Sequence, residues 1–266
     1  RNGKRIAVGM NIPGPAMMRT LETSSRNKLF EVGDGIPLNG GSNYQAFTAD
    51  GSWLITTEKG GLTLRNGTSG TIVGNNPALE NANMPDVSPD SKFVVFSRNV
   101  TPQCAFGLCM TLSVQGATLY TVPFKGMDGF GMPTVLAPAD GASNYYPSIS
   151  PDNQYVVYNR SSGDSYDAAD ARVMIIKATG GQPIDLSSVN TSVGNSWPKW
   201  GPFQHRFQGK SIMWVTFSSR RAYGLRPTPA AQIWMAPVQT DKLEAGKDSG
   251  YPAIRLPFQD LGTGNH

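Results

Sequence analysis

The sequence predicts an all-β protein, a β-propeller built of four-stranded blades, and three observations carry that expectation. The first is a near-duplication. Residues 84–98 read Met-Pro-Asp-Val-Ser-Pro-Asp-Ser-Lys-Phe-Val-Val-Phe-Ser-Arg, and residues 145–160 read Tyr-Tyr-Pro-Ser-Ile-Ser-Pro-Asp-Asn-Gln-Tyr-Val-Val-Tyr-Asn-Arg. Each is a strand, a tight turn and a second strand that is β-branched and aromatic. The second is punctuation: 30 glycines and 20 prolines are dispersed along 266 residues, which suits many short strands rather than disorder. The third is spacing. Equivalent turn positions lie 40 residues apart from Gly51 to Ser91 and 62 apart from Ser91 to Asn153, so fixed strand blocks are joined by links that take insertions. No helical periodicity accompanies them. A β-sandwich would share the strands but has no reason to repeat one hairpin at equivalent places.

The elements follow in order, as one domain over residues 1–266 with five units at about 1–40, 42–80, 84–140, 144–190 and 196–257. The first unit opens at residues 4–8, which read as the second half of the hairpin, so the chain is expected to be a fragment starting inside a blade. A link with Pro13 and Pro15 follows, then strands at 27–32 and 36–38. The second unit has strands at 44–47 and 53–56 around Thr48-Ala49-Asp50-Gly51, with glycine where a left-handed residue should fall, and later strands at 61–65 and 71–73.

In the third and fourth units the turn is Ser-Pro-Asp-Ser or Ser-Pro-Asp-Asn. Proline presets φ at the second turn position, serine and aspartate bond the local backbone, and asparagine tolerates the left-handed region. Later strands are expected at 117–124 and 133–136, then at 172–178 and 183–186. The fifth unit, from Ser196-Trp-Pro-Lys-Trp-Gly-Pro202, lacks the aspartate turn and continues at 211–217, 232–238 and 251–256.

The Pro-x-x-Ser-Pro-Asp turn, followed by an aromatic-Val-Val-aromatic strand, resembles the propeller repeat of TolB-type periplasmic proteins. Leu119-Tyr120, Ile233-Trp234 and a closing Gly181 extend the likeness over essentially the whole chain. It implies a propeller of six blades when complete, of which five units are visible, and a periplasmic, extracellular or cell-surface setting. It is specific for fold and not for function, because related repeats serve as scaffolds, as substrate gates of peptidases and in cytochrome-associated domains.

Composition narrows the function classes. Only 16% of residues are charged, and the net charge of +4 comes without the Lys/Arg stripe of a nucleic-acid binder. No run of about 18 apolar residues spans a membrane. Cys104 and Cys109, alone and five residues apart, suggest a small disulfide in an oxidising compartment; two unrelated thiols are the alternative. There is no Gly-x-Ser-x-Gly elbow, and of the two histidines His205, in Phe-Gln-His-Arg-Phe, reads as structural while His266 ends the chain. No catalytic residue is therefore assigned. Asp164, Asp167 and Asp170 recur every three residues in a glycine-bearing loop, so calcium is the candidate ion, and no other cofactor is expected. Asn66, Asn99, Asn159 and Asn190 head glycosylation-type sequons, read as coincidence in a chain so rich in Asn, Ser and Thr.

With the strands of each blade named a to d outward, the b–c links fall at residues 10–26, 99–116, 161–171 and 218–231, and all would emerge on one face. Insertions gathered on one face of a repeat array mark its binding surface. That face would carry Arg19, Arg26, Phe106, Tyr166, Arg220, Arg221, Tyr223 and Arg226, of the types enriched in interface hot spots. The expectation is a non-catalytic scaffold that binds a protein partner through this face or the channel mouth. The alternatives are the propeller of a larger prolyl-oligopeptidase-type hydrolase or haem oxidoreductase, and a calcium- or ligand-binding propeller.

Overall fold

The expected turn forms three times with the same bonds. In the computed structural model, which describes residues 6–8, 27–30, 36–38, 44–58, 61–98, 103–105, 108–110, 114–165, 168–191, 194–223 and 230–260, the turns at Thr48, Ser88 and Ser150 superimpose in chemistry. Each hydroxyl donates to the aspartate two residues on, Asp50, Asp90 or Asp152. Each also accepts the N–H of the aromatic residue opening the next strand: Trp53 at 3.1 Å, Phe93 at 3.1 Å and Tyr155 at 2.9 Å. The fourth turn residue lies in the left-handed region each time, with φ of 75° at Gly51, 58° at Ser91 and 64° at Asn153. Such side-chain bonds contribute about 1 kcal/mol each.

These turns join strands into sheets that run in chain order. Strands β1 (Ile6–Val8), β2 (Asn27–Phe30) and β3 (Ile36–Leu38) pair in sequence. The next sheet holds β4 (Gln45–Phe47), β5 (Trp53–Glu58), β6 (Gly61–Asn66) and β7 (Ile72–Glu80). After it, β8 (Ala82–Val87) and β9 (Phe93–Arg98) are joined by β12 (Thr118–Pro123) and β13 (Thr134–Ala137); β10 (Gln103–Ala105) and β11 (Leu108–Met110) form a separate pair between them. The fourth sheet holds β14 (Ser143–Ile149), β15 (Tyr155–Ser161), β16 (Arg172–Lys177) and β17 (Ile184–Asp185). The fifth holds β18 (Asn195–Phe207), β19 (Lys210–Ser219), β20 (Gln232–Gln239) and β21 (Ile254–Arg255). Four of these sheets are four-stranded meanders. No helix among the described residues is long and apolar enough to cross a membrane.

The chain packs as two compact units, Arg1–Val100 with Tyr120–Thr134, and Thr101–Leu119 with Val135–His266. In the first, the core joins Ile55, Leu62 and Leu64 to Val87, Val94 and Phe96. In the second, Tyr155, Val157, Val173 and Ile175 meet Trp200, Met213, Val215, Phe217 and Trp234. The period-2 alternation within β15, β16 and β19 puts one residue in two into this core, where burying a side chain such as Phe217 contributes about 2–3 kcal/mol.

Three innermost strands share an irregularity. Met84, Tyr146 and Trp197 have φ of 54°, 51° and 57°, and each precedes a proline, Pro85, Pro147 or Pro198. The strand register shifts at each of these places. A bulged residue of this kind costs about 1–2 kcal/mol in backbone strain. Local bonds offset it: Met84 N–H donates to Asn83 Oδ1 at 2.8 Å and Trp197 N–H to Asn159 Oδ1 at 2.8 Å. Tyr146 and Trp197 stack at 4.5 Å with planes 8° apart.

The structure departs from the sequence expectation in several elements, among them β7, expected over 71–73 and running from Ile72 to Glu80. The cysteine segment, expected as a loop, is a two-stranded hairpin with Cys104 directly opposite Cys109. A five-residue helix, α1 (Thr240–Glu244), follows β20, too short to leave a periodic signature. Where the fifth unit lost its aspartate turn, β18 runs on to Phe207, well past the expected end at Pro202, and returns as β19.

Candidate interaction surface

Buried asparagines organise the ends of the strands from which the b–c links leave in the compact unit that holds Val135–His266. Asn144 donates through Nδ2 to the carbonyls of Ala137 and Pro138 at 3.2 and 2.8 Å. Asn159, wholly buried, donates to the carbonyls of Asn195 at 2.7 Å and Arg172 at 3.1 Å. Asn190 accepts the Val173 N–H and donates back to the Val173 carbonyl, both at 2.9 Å, as an added strand residue would. Asn195 then donates to Asn190 Oδ1 at 3.1 Å. Two of these asparagines, Asn159 and Asn190, head sequons, and burial commits both to the fold.

The links themselves are fastened to one another. Val114, in the link of residues 99–116, exchanges two bonds with Ser165 in the link of residues 161–171: its N–H donates to Ser165 Oγ at 2.9 Å and its carbonyl accepts the Ser165 N–H at 3.1 Å. On the other side, Gly194 N–H donates to the Ala169 carbonyl at 2.7 Å and Asn195 N–H to the Ala171 carbonyl at 2.8 Å. A Cβ on Gly194 would stand 2.6 Å from the Ala168 carbonyl oxygen, so this approach requires glycine.

Arg221 closes the series. It was expected to face a partner, but the structure turns it inward, at 8% exposure. Its Nη2 donates to the Val189 carbonyl at 2.9 Å and to Asn195 Oδ1, and its Nε donates to Ser219 Oγ. The guanidinium lies 4.9 Å from the Phe217 ring centre and 5.1 Å from that of Trp234. Burial pushes its pKa down from the usual arginine value, so hydrogen bonds and ring faces must hold the charge.

Around this clamp, Arg220 is exposed and Tyr223 is 53% exposed. Tyr223 turns an edge to Trp234 at 6.3 Å and carries the Arg255 guanidinium 5.2 Å from its ring centre. Arg255 in turn donates to Gln232 Oε1 at 2.9 Å. Arg220 and Tyr223 are thus presented together at the end of the fifth sheet. Arg19, Arg26, Phe106, Tyr166, Arg226 and Asp167 lie outside the described residues. Of the other two acids of the calcium candidate, Asp170 already accepts the Ser162 N–H at 2.8 Å and the Ser162 hydroxyl at 2.6 Å, while Asp164 is half-buried.

Sequence reasoning missed the asparagines. For two of them the signal available was Asn-x-aromatic-Pro, present at Asn144–Pro147 and again at Asn195–Pro198.

A TolB structure from Agrobacterium tumefaciens matches with a TM-score of 0.54 and 19% identity, over 84% of this chain and 64% of its own. TolB from Acinetobacter baumannii matches at 0.50 and 12%, over 97% of this chain and 65% of its own. The fold is a TolB-like β-propeller. Its four-stranded meanders are the blades, and the ends described above are b–c ends of TolB-like blades. The chain spans slightly less than two thirds of the length of either TolB structure. Neither a family model nor a curated protein sequence matches it.

Proposed function

We propose that this chain is a non-catalytic, extracytoplasmic interaction module of TolB type that docks a protein partner through the b–c ends of its blades. One observation carries the reading: Val114 and Ser165, in successive b–c links, exchange hydrogen bonds, and Arg221 of the next link is tied to Ala171 through Asn195. Links left for solvent alone have no need of such lacing, and a surface fixed before binding avoids the ordering cost of about 0.5–1.5 kcal/mol per immobilised side chain. Arg220 and Tyr223, of the residue types that dominate interface energetics, stand on it.

The described carboxylates with depressed pKa values support a structural rather than a catalytic use. Asp50, Asp90, Asp170 and Asp248 are each held low by hydroxyl and N–H donors in turns and links. The extracytoplasmic setting draws support from the cysteine hairpin, because residues directly opposite on antiparallel strands bring their Cα atoms about 4.5–5.5 Å apart, within disulfide range. Intact mass before and after reduction checks the bond: thiols free to alkylate without reductant would remove this support.

The docking surface is tested by placing a photo-crosslinking amino acid at Arg220 or Tyr223, and at Lys177 at the opposite end of the strands as control. Partner crosslinks are expected from the first two positions only. Equal yields from Lys177 would overturn the b–c assignment.

A further inference from the structure

The projecting hairpin of the fifth sheet has features that the b–c surface does not use. At the end of the sheet where other blades close with Ser-Pro-Asp, β18 and β19 continue as a two-stranded arm ending at Gln208 and Gly209, which have φ of 49° and 77°. Beyond the Ile212–Gln239 pair β20 no longer accompanies it, so the free two-stranded tip extends about 10 Å at 3.3 Å per residue. Every residue from Pro202 to Lys210 is exposed. Phe203 and Phe207 are 67% and 62% exposed, and Phe203 meets His205 edge-on at 6.3 Å, so these three alternate residues form one stripe. His205, expected to be structural, is part of this exposed stripe.

The two edges of the arm differ. On β19, Thr240 at the start of α1 donates its hydroxyl to the Ser211 carbonyl at 3.3 Å. On β18, no hydrogen bond from a strand other than β19 reaches residues 204–207 among the described residues. A two-residue turn makes Phe207/Lys210 and His205/Ile212 the pairs that exchange bonds, which turns the N–H and C=O of Gln204 and Arg206 outward. Charge on this stretch has one sign. From Ser187 to Thr240 the chain carries Lys199, Arg206, Lys210, Arg220, Arg221 and Arg226 and no aspartate or glutamate, a run that the net charge of +4 conceals.

We propose that the outer edge of β18 receives an extended acidic peptide segment of a partner protein as an added strand. The main chains of Gln204 and Arg206 would supply its hydrogen bonds, and Phe203, His205 and Phe207 its side-chain contacts. The cations Arg206 and Lys210 select acid in the added strand. An open edge with an alternating stripe fits a strand better than a membrane surface, which would need no main-chain partners.

The probe is a fluorescein-labelled peptide, Asp-Val-Asp-Phe-Asp-Val-Asp, with one version N-methylated on the amides that would face the edge and another carrying lysine for aspartate. Binding followed by anisotropy is expected to weaken about tenfold or more on N-methylation and to vanish with lysine. The double variant F203S/F207S is expected to lose binding about tenfold with an unchanged Tm, because both rings are exposed. Variants R220A and Y223A should bind the peptide as the parent does, which separates this site from the b–c surface. Equal binding of the N-methylated peptide, or no peptide binding beside sedimentation with phosphatidylcholine–phosphatidylglycerol vesicles, would overturn the proposal.

Discussion

Ser91 and Asn153 occupy the same left-handed turn position that glycine fills at Gly51, and the energetic cost of a side chain there is testable. Asn153→Gly removes a Cβ from a φ of 64° and is expected to raise stability by about 0.5–1 kcal/mol. Ser91→Gly should gain nothing net, because Ser91 Oγ accepts the Ala49 N–H at 3.0 Å and joins two successive turns. Chemical denaturation of both variants decides it; equal gains would mean that the bond from Ala49 contributes nothing. These residues were legible in the sequence because turn chemistry is local. Arg221 was not, since nothing near it in sequence reveals that Asn195 and Val189 come to meet it.

At the scale of elements, Arg221 joins the fifth sheet to the link that precedes it, so its loss should be felt beyond its own strand. Arg221→Ala leaves the Val189 carbonyl and Asn195 Oδ1 short of a donor and is expected to cost about 2–3 kcal/mol in unfolding free energy. Arg221→Lys should recover only part of this, because an ammonium cannot span both acceptors while lying on two rings. Full rescue by lysine would mean that charge alone matters. The strand blocks were readable from hydrophobic pattern and turn residues, whereas the continuation of β18 to Phe207 was not. Its exposed residues share no common face with the core, and Pro202 reads locally as an ending.

For the whole molecule, acid should be the sensitive direction. Hydrogen bonds from Ser52, then Thr48, hold Asp50 at about 2. The Ser162 hydroxyl and N–H hold Asp170 low, and at Asp90 and Asp248 serine and backbone donors outweigh a burial that alone would raise them. A depressed folded pKa contributes stability that is fully present above the unfolded value, about 3.9, and is lost as pH falls through the folded value. Unfolding free energy should therefore hold steady from neutral pH to about 5 and fall below about 4. Asp50→Asn should be less stable at neutral pH and lose less on acidification; a slope identical to that of the parent would show Asp50 to be uninvolved. At this scale the repeated hairpins made the propeller legible. The surface that ties the b–c links together was not, because its bonds join residues as far apart as Val114 and Ser165.

A chain made of near-copies must also avoid confusing them. The segments around Ser88 and Ser150 are alike enough that either second strand could pair with the other's first. Met84, Tyr146 and Trp197, each twisted ahead of a proline, act against sliding as a pawl acts in a ratchet. Moved by one residue, the proline would stand where its partner strand needs a donor, and the twisted residue where it needs an extended one. The strain at these three places would then serve as a registration mark, by which the first strand of each of these sheets meets its second strand at one fixed point and nowhere else.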